Sequence, residues 1–152
     1  MGDVEIHNRK ASHYYKILET FEAGIELQGT EVKSLRGGHG HLNDAFARVE
    51  KGEVWLYNFD IAPYSHGNRE NHEPKRTRKL LLHKQEIRRL FGEISRAGRT
   101  LVPLKGYFKK RCFKLLLGVG VGKTQHDKRQ SIMKRDTDRQ IRRALSSRRH
   151  SQ

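Results

Sequence analysis

Ala45-Phe46-Ala47-Arg48-Val49-Glu50-Lys51-Gly52-Glu53-Val54-Trp55-Leu56-Tyr57-Asn58-Phe59-Asp60-Ile61 decides the fold class. Two runs, Ala45 to Glu50 and Val54 to Ile61, alternate apolar and polar residues with period two, and the second is rich in the aromatic and β-branched residues that suit a pleated surface. Lys51-Gly52 between them is a two-residue turn of the kind that closes a β-hairpin. The alternation places Trp55, Tyr57 and Phe59 on one side of the second strand.

Similar signals spread outward from this hairpin. Upstream, Tyr15, Ile17, Glu19 and Phe21 alternate toward Ala23-Gly24, with Ile25 and Leu27 beyond, a second predicted hairpin. Gly29 to Arg36 follows as a short helix, with Thr30 expected as its N-cap, Val32 and Leu35 on one face and Gly37-Gly38 as its stop. Downstream, Pro63 to Pro74 is a polar loop leading into the basic run Lys75-Arg76-Thr77-Arg78-Lys79, which RNA can use. Ile87, Leu90, Phe91 and Ile94 recur at helical spacing between Lys84 and Ala97, and Gly98 marks the end. Thr100 to Leu104, Tyr107-Phe108 and Phe113 to Val119 supply the last strands before the glycines 118, 120 and 122. About six short strands with inserted helices predict a mainly β protein, an antiparallel barrel of oligonucleotide-binding type with about three added helices.

Charge narrows the partner. Among 152 residues, 32 Lys and Arg face 17 Asp and Glu, a formal charge of +15, and the mean hydropathy is −0.87. Such a surface attracts polyanions. The last thirty residues, 123–152, hold ten Lys or Arg against three Asp, so +7 lies in the tail and +8 in residues 1–122. Ile132, Met133, Ile141 and Leu145 are too few to offset an ordering entropy of about 1 to 2 kcal/mol per residue, so the tail is expected to be disordered when free. Its composition favours helix, and no Gly or Pro interrupts it after Lys123. The expectation is a β-rich RNA-binding domain at 1–122 and a basic tail at 123–152 that becomes helical on binding.

Other chemistries fit less well. Gly118-Val119-Gly120-Val121-Gly122-Lys123-Thr124 ends like a phosphate-cradling loop, but Leu117 stands where that loop needs its first Gly. The histidines, including the pairs His39 with His41 and His66 with His72, have no further ligands at metal-site spacing, and Cys112 is the single cysteine, so exposed loop histidines, no metal and no cofactor are expected. A nuclease would need His126, Asp127 and Lys128 as base and metal ligand, yet Asp127 beside Lys128 and Arg129 is simple charge pairing. No apolar run reaches the roughly 18 to 20 residues that span a bilayer. No signal-peptide or lipidation pattern opens the chain, and a cytoplasmic protein without catalytic machinery or membrane partner is expected. Tyr14 and Tyr15 near Arg9 and Lys10, and Tyr107-Phe108 before Lys109-Lys110-Arg111, combine stacking and phosphate-binding groups. Strand alternation turns Tyr15 and one of Tyr107 or Phe108 inward.

Five strings in register resemble one family. Asn8-Arg9-Lys10-Ala11, Phe21-Glu22-Ala23-Gly24-Ile25, Gly29 to Arg36, Arg76-Thr77-Arg78-Lys79-Leu80-Leu81-Leu82 and Gln125-His126-Asp127-Lys128-Arg129 are similar to small protein B, the SsrA-binding protein family, from about Asn8 to Leu145. The resemblance implies a barrel that binds the tRNA-like part of transfer-messenger RNA and delivers it, with elongation factor Tu, to stalled ribosomes. By motif position, Asn8, Glu22 and Leu81 would contact that RNA, and Lys123, Lys128 and Arg129 would add phosphate contacts. The tail would enter the decoding site and the empty mRNA channel along 16S rRNA, offering His126, Asp127, Lys128, Arg129, Lys134, Arg135, Ile141 and Leu145. A helix from Asp127 to Leu145 would be roughly 28 Å long. Val121-Gly122-Lys123-Thr124 is less basic than the Lys-Gly-Lys-Lys frequent in the family. A monomer is expected. The competing readings are a general rRNA-binding or ribosomal protein and an RNA-processing enzyme.

Overall fold

The computed structural model describes residues 4–65, 71–123 and 125–150, without the side chains at 125–128, 130–132 and 146–150. The chain runs β1 (Glu5–His7), α1 (Ala11–Tyr14), β2 (Tyr15–Ile25), α2 (Gly29–Arg36), β3 (Gly40–His41), β4 (Phe46–Glu50), β5 (Glu53–Tyr57), β6 (Asp60–Ile61), β7 (Arg78–Leu81), α3 (Lys84–Ile94), β8 (Arg99–Lys109), β9 (Cys112–Gly122) and α4 (Gln125–His150). Seven strands form one antiparallel sheet in the order β1-β8-β9-β2-β7-β5-β4, and β3 pairs with β6 apart from it. The sheet curls until β4 lies against β8. No ladder joins β4 to β8 among the described residues.

The hairpin expected at Lys51-Gly52 is β4 and β5, with Glu50 opposite Glu53 and both turn residues at positive φ, 51° and 76°. Val54 and Leu56 fill the core, while Trp55 and Tyr57 stay half-buried on the other face. Phe59 does not share their side. The strand ends at Tyr57, Asn58 takes φ 58°, and the reversal sends Phe59 fully into the core.

The hairpin expected at Ala23-Gly24 is absent, because β2 runs unbroken from Tyr15 to Ile25 with one bulge between Ile17 and Glu19. Gly24 serves close approach rather than a turn. A Cβ there would stand 3.2 Å from that of Leu81 on β7, nearer than side chains normally meet. Gly118 and Gly120 likewise lie inside β9 and do not follow it. Ile17, Leu104, Tyr15 and Val102 occupy the space their side chains would take. Among the described residues nine strands therefore replace the expected six or so, several of them only two or three residues long.

Helix α2 starts one residue before the expected cap. Gln28 is the N-cap, and its N–H donates to Glu31 Oε1 at 2.8 Å. Thr30 instead pairs its hydroxyl with His72 Nδ1 at 2.9 Å, and His72 Nε2 lies 2.8 Å from the Ile61 carbonyl. His72 is thus a buried brace and not an exposed loop histidine. Helix α3 buries Ile87 and Leu90, leaves Phe91 exposed, and ends at Ile94, short of Ala97.

The basic run before β7 is also structural. Arg78 and Glu31 are both fully buried and joined through Arg78 Nε and Glu31 Oε2. Arg78 also donates to the carbonyls of Phe59 (2.5 Å), Pro74 (3.0 Å) and Arg76 (3.1 Å). Arg76 reaches Glu31 Oε1 through Nε at 3.2 Å and the Glu26 carbonyl through Nη2 at 3.2 Å. Burial by itself would raise the Glu31 pKa, but hydrogen bonds from Arg76 and the Gln28 N–H, with the charge and hydrogen bond of Arg78, outweigh it and hold the carboxyl below its usual range.

Glu31→Gln leaves two guanidinium groups without their counter-charge and is expected to cost about 3 to 5 kcal/mol in urea unfolding. Because the folded pKa of Glu31 is depressed, its contribution is complete above the unfolded value near 4.5 and disappears as pH falls through the folded one. The stability difference between wild type and Glu31→Gln should shrink across that acidic window.

Candidate nucleic-acid interface

Alternation along β2 turns Phe21, Ala23 and Ile25 inward, leaving Glu22 and Gly24 on the outer face. Register then composes the surface. Leu81 lies opposite Gly24, Gly24 opposite Lys114, and Lys114 opposite Tyr107, while Glu22 lies opposite Leu116 and Leu116 opposite Lys105. Glu22 and Leu81 therefore share one face within neighbouring rows, although 59 positions separate them in the chain. Leu81 remains 46% exposed, high for a leucine in a sheet.

Glu22 is held in place. The Tyr107 hydroxyl donates to its Oε2, and Lys109 Nζ lies 3.3 Å from its Oε1. The Tyr107 hydrogen bond foremost, with Lys109 and Lys114 nearby, keeps the Glu22 pKa below the usual carboxylate value despite some opposing desolvation. Burial and the same Glu22 contact push Tyr107 up to about 12. The result is a fixed acceptor ringed by Lys105, Lys109 and Lys114. Lys109 is legible in the basic run after Tyr107-Phe108, whereas Lys105 and Lys114 are placed beside Glu22 by the β8–β9 register.

Asn8 sits at the end of edge strand β1, three strands from β2, or about 14 Å at normal strand spacing. Its Nδ2 donates to the Pro103 carbonyl at 2.8 Å and its Oδ1 accepts the Lys10 N–H at 3.2 Å. Both ends of the amide therefore set the entry to α1. Lys123 is committed as well. Its N–H donates to the Tyr14 carbonyl at 2.8 Å and its Nζ to the Ser12 carbonyl at 2.6 Å. Of the inward aromatics, Phe108 packs edge-to-face on core Phe113 at 5.1 Å. Tyr15 packs over Gly120 and does not join the core cluster.

Beyond Lys123, α4 runs from Gln125 to His150, longer at both ends than the expected Asp127 to Leu145. Arg129 and residues 133–145 are exposed, among them Lys134, Arg135, Ile141 and Leu145. Arg135 borders a groove shared with Asn8, Arg9 and His41, so one tail residue and one body residue of the expected site meet. The side chains of His126, Asp127 and Lys128 fall outside the described residues. Among the described residues no three His, Cys, Asp or Glu side chains gather as a metal site. No helix among them is long and apolar enough to cross a membrane.

A curled antiparallel sheet with a cation-ringed face and a basic helix leading from its last strand defines a small nucleic-acid-binding protein of the β class. The family model described as SmpB protein matches residues 5–147. An SsrA-binding protein of Carboxydothermus hydrogenoformans is 57% identical over 97% of this chain and 99% of its own. That of Geobacillus sp. is 55% identical over 97% and 95%. A chain in the solved structure described as "tmRNA-SmpB: a journey to the center of the bacterial ribosome" superimposes with TM-score 0.67 at 51% identity, covering 86% of this chain and 94% of that one. The chain belongs to the SmpB family.

Absorbance titration at alkaline pH should show Tyr107 ionising near 12, and Glu22→Gln should lower it only part of the way toward 10, because burial, the larger cause, remains. A raised tyrosine pKa favours the protonated fold, so the stability that Tyr107 contributes is complete below the unfolded value near 10 and is lost as pH rises through about 12.

Proposed function

We propose that this chain binds the tRNA-like part of transfer-messenger RNA and carries it to stalled ribosomes, as a factor of trans-translation. The observation that carries the reading is the separation of two surfaces on one strand. Leu81 lies against β2 at Gly24, whereas the tail departs where Gly122 pairs with Tyr15 at the opposite end. Nine residues of strand put these points roughly 30 Å apart. A bound RNA centred on the Glu22–Leu81 face therefore leaves α4 beyond its first turns uncovered. The relatives named SsrA-binding protein, and the solved assembly of tmRNA, SmpB and ribosome, support the same reading.

In this role Glu22 accepts hydrogen bonds from RNA edges, Leu81 supplies an apolar contact, and Asn8 helps shape the edge that receives the RNA. Lys128 and Arg129 add phosphate contacts. The tail, with His126, Asp127, Lys134, Arg135, Ile141 and Leu145, occupies the decoding site and the empty mRNA channel, where it stands in for the missing codon–anticodon helix. The protein acts as a cytoplasmic monomer without catalysis, and elongation factor Tu joins through the RNA.

Titration of the full chain should show preference for tRNA-like RNA over unrelated hairpins, with log K falling against log salt at a slope of about −4 for six phosphate contacts. Leu81→Asp should weaken that binding at least about tenfold while leaving thermal unfolding nearly unchanged, since an exposed side chain is altered. Truncation after Gln125 should keep RNA binding and abolish tagging of stalled products in a reconstituted translation reaction. Equal affinity for all hairpins would remove the reading.

A further inference from the structure

We infer that the seam between β4 and β8 is a second RNA-contacting groove, one that takes a single unpaired nucleotide, its base against Tyr14 and Phe46 and its phosphate against Arg48 and Lys10. The inference rests on the RNA-binding reading and adds a site to it, on a different part of the sheet from Glu22 and Leu81.

The sheet's failure to close creates the groove. β4 ends the strand order, so among the described residues its outer edge has no ladder partner and β1 covers β8 only from Lys105 to Tyr107. Asn8 takes the carbonyls of Pro103 and Leu104, and Thr100 to Val102 line one groove with Phe46 to Arg48 of β4, without a ladder between them among the described residues. Open strand edges present N–H and C=O groups that require partners. Between them lies a groove of about 620 Å³ whose walls include Tyr14, Phe46, Arg48, Val102 and Lys123, a volume within the range of roughly 300 to 1,000 Å³ that small-ligand sites occupy.

The rims carry what a nucleotide requires. Phe46 and Tyr57 stack with centroids 5.0 Å apart at 9°, and the Arg48 guanidinium lies 5.0 Å from the first ring and 5.8 Å from the second. Tyr14, 46% exposed, stands on the other rim against His13. Lys10 pairs with Asp44 at 3.1 Å, but both are exposed, and such a pair exchanges readily for a phosphate. Aromatic faces beside mobile cations suit unpaired bases.

A polypeptide strand fits less well. Inserting one would require β4 and β8 to stand about 9.6 Å apart, twice the strand spacing, whereas their Cα atoms approach within 8 Å. A planar base lying across the mouth needs no such gap.

Photocrosslinking tests the site on the full chain, with a hairpin RNA bearing one bulged 5-iodouridine as probe and mass spectrometry to locate the adduct. Adducts are expected at Tyr14, Phe46 or Tyr57. Tyr14→Ala should cut adduct yield and hairpin affinity about tenfold, the loss typical of one stacking contact. Tyr14→Phe should restore both, and Arg48→Gln should lower affinity without moving the adduct. Adducts confined to α4 or the Leu81 face, or unchanged by Tyr14→Ala, would overturn the seam while leaving the RNA reading intact. Absence of any preference for tRNA-like RNA in the unaltered protein would instead remove both.

Discussion

One buried carboxylate organises the body. Glu31 receives the backbone of Gln28, the guanidinium of Arg76 and that of Arg78, and through them fixes the start of α2, the approach to β7 and the turn after β5. Buried charges are expensive to desolvate, and such clusters persist where each hydrogen-bonding group is met. Here Arg78 spends its remaining donors on the carbonyls of Phe59, Pro74 and Arg76, and no buried side-chain nitrogen or oxygen among the described residues lacks a partner. The cluster's value lies in placement. β7 is inserted between β2 and β5, strands joined by no direct turn to it, and a register error of one residue would turn Leu81 to the other face.

Local chemistry was legible where it was self-sufficient. Lys51-Gly52 needs only its own dihedrals to make a turn, and the stripe of Ile87, Leu90 and Ile94 needs only a helix period, so both were readable from the residues. Ala23-Gly24 looked like a turn because its real cause, the approach of Leu81, lies nearly sixty residues away. The glycines of β9 misled for the same reason, as their partners are side chains on β2 and β8. Charge was hardest to assign. Arg76 and Arg78 sit in a run that reads as an RNA contact, and nothing local shows that a distant glutamate has claimed them.

The outer sheet face around Glu22 shows the converse. Glu22 and Leu81 became visible through family resemblance and Lys109 through its basic run, while Lys105 and Lys114 emerge only when the pairing of β8 with β9 is known. An acidic side chain at the centre of a basic face is repelled by phosphate and therefore selects against indiscriminate backbone binding. Its fixation by Tyr107 gives it one direction in which to accept.

Lys123 ties the last strand to α1 by two hydrogen bonds immediately before a helix of 26 residues begins. At 1.5 Å per residue that helix is a lever about 39 Å long. A tilt of about 10° at its root, smaller than the ordinary scatter of backbone dihedrals, carries its tip through about 7 Å, the scale of a whole nucleotide step. Two bonds to α1 carbonyls thus act as a bearing, and the aim of the tail is set in the body, at its pivot, before any partner touches the tip.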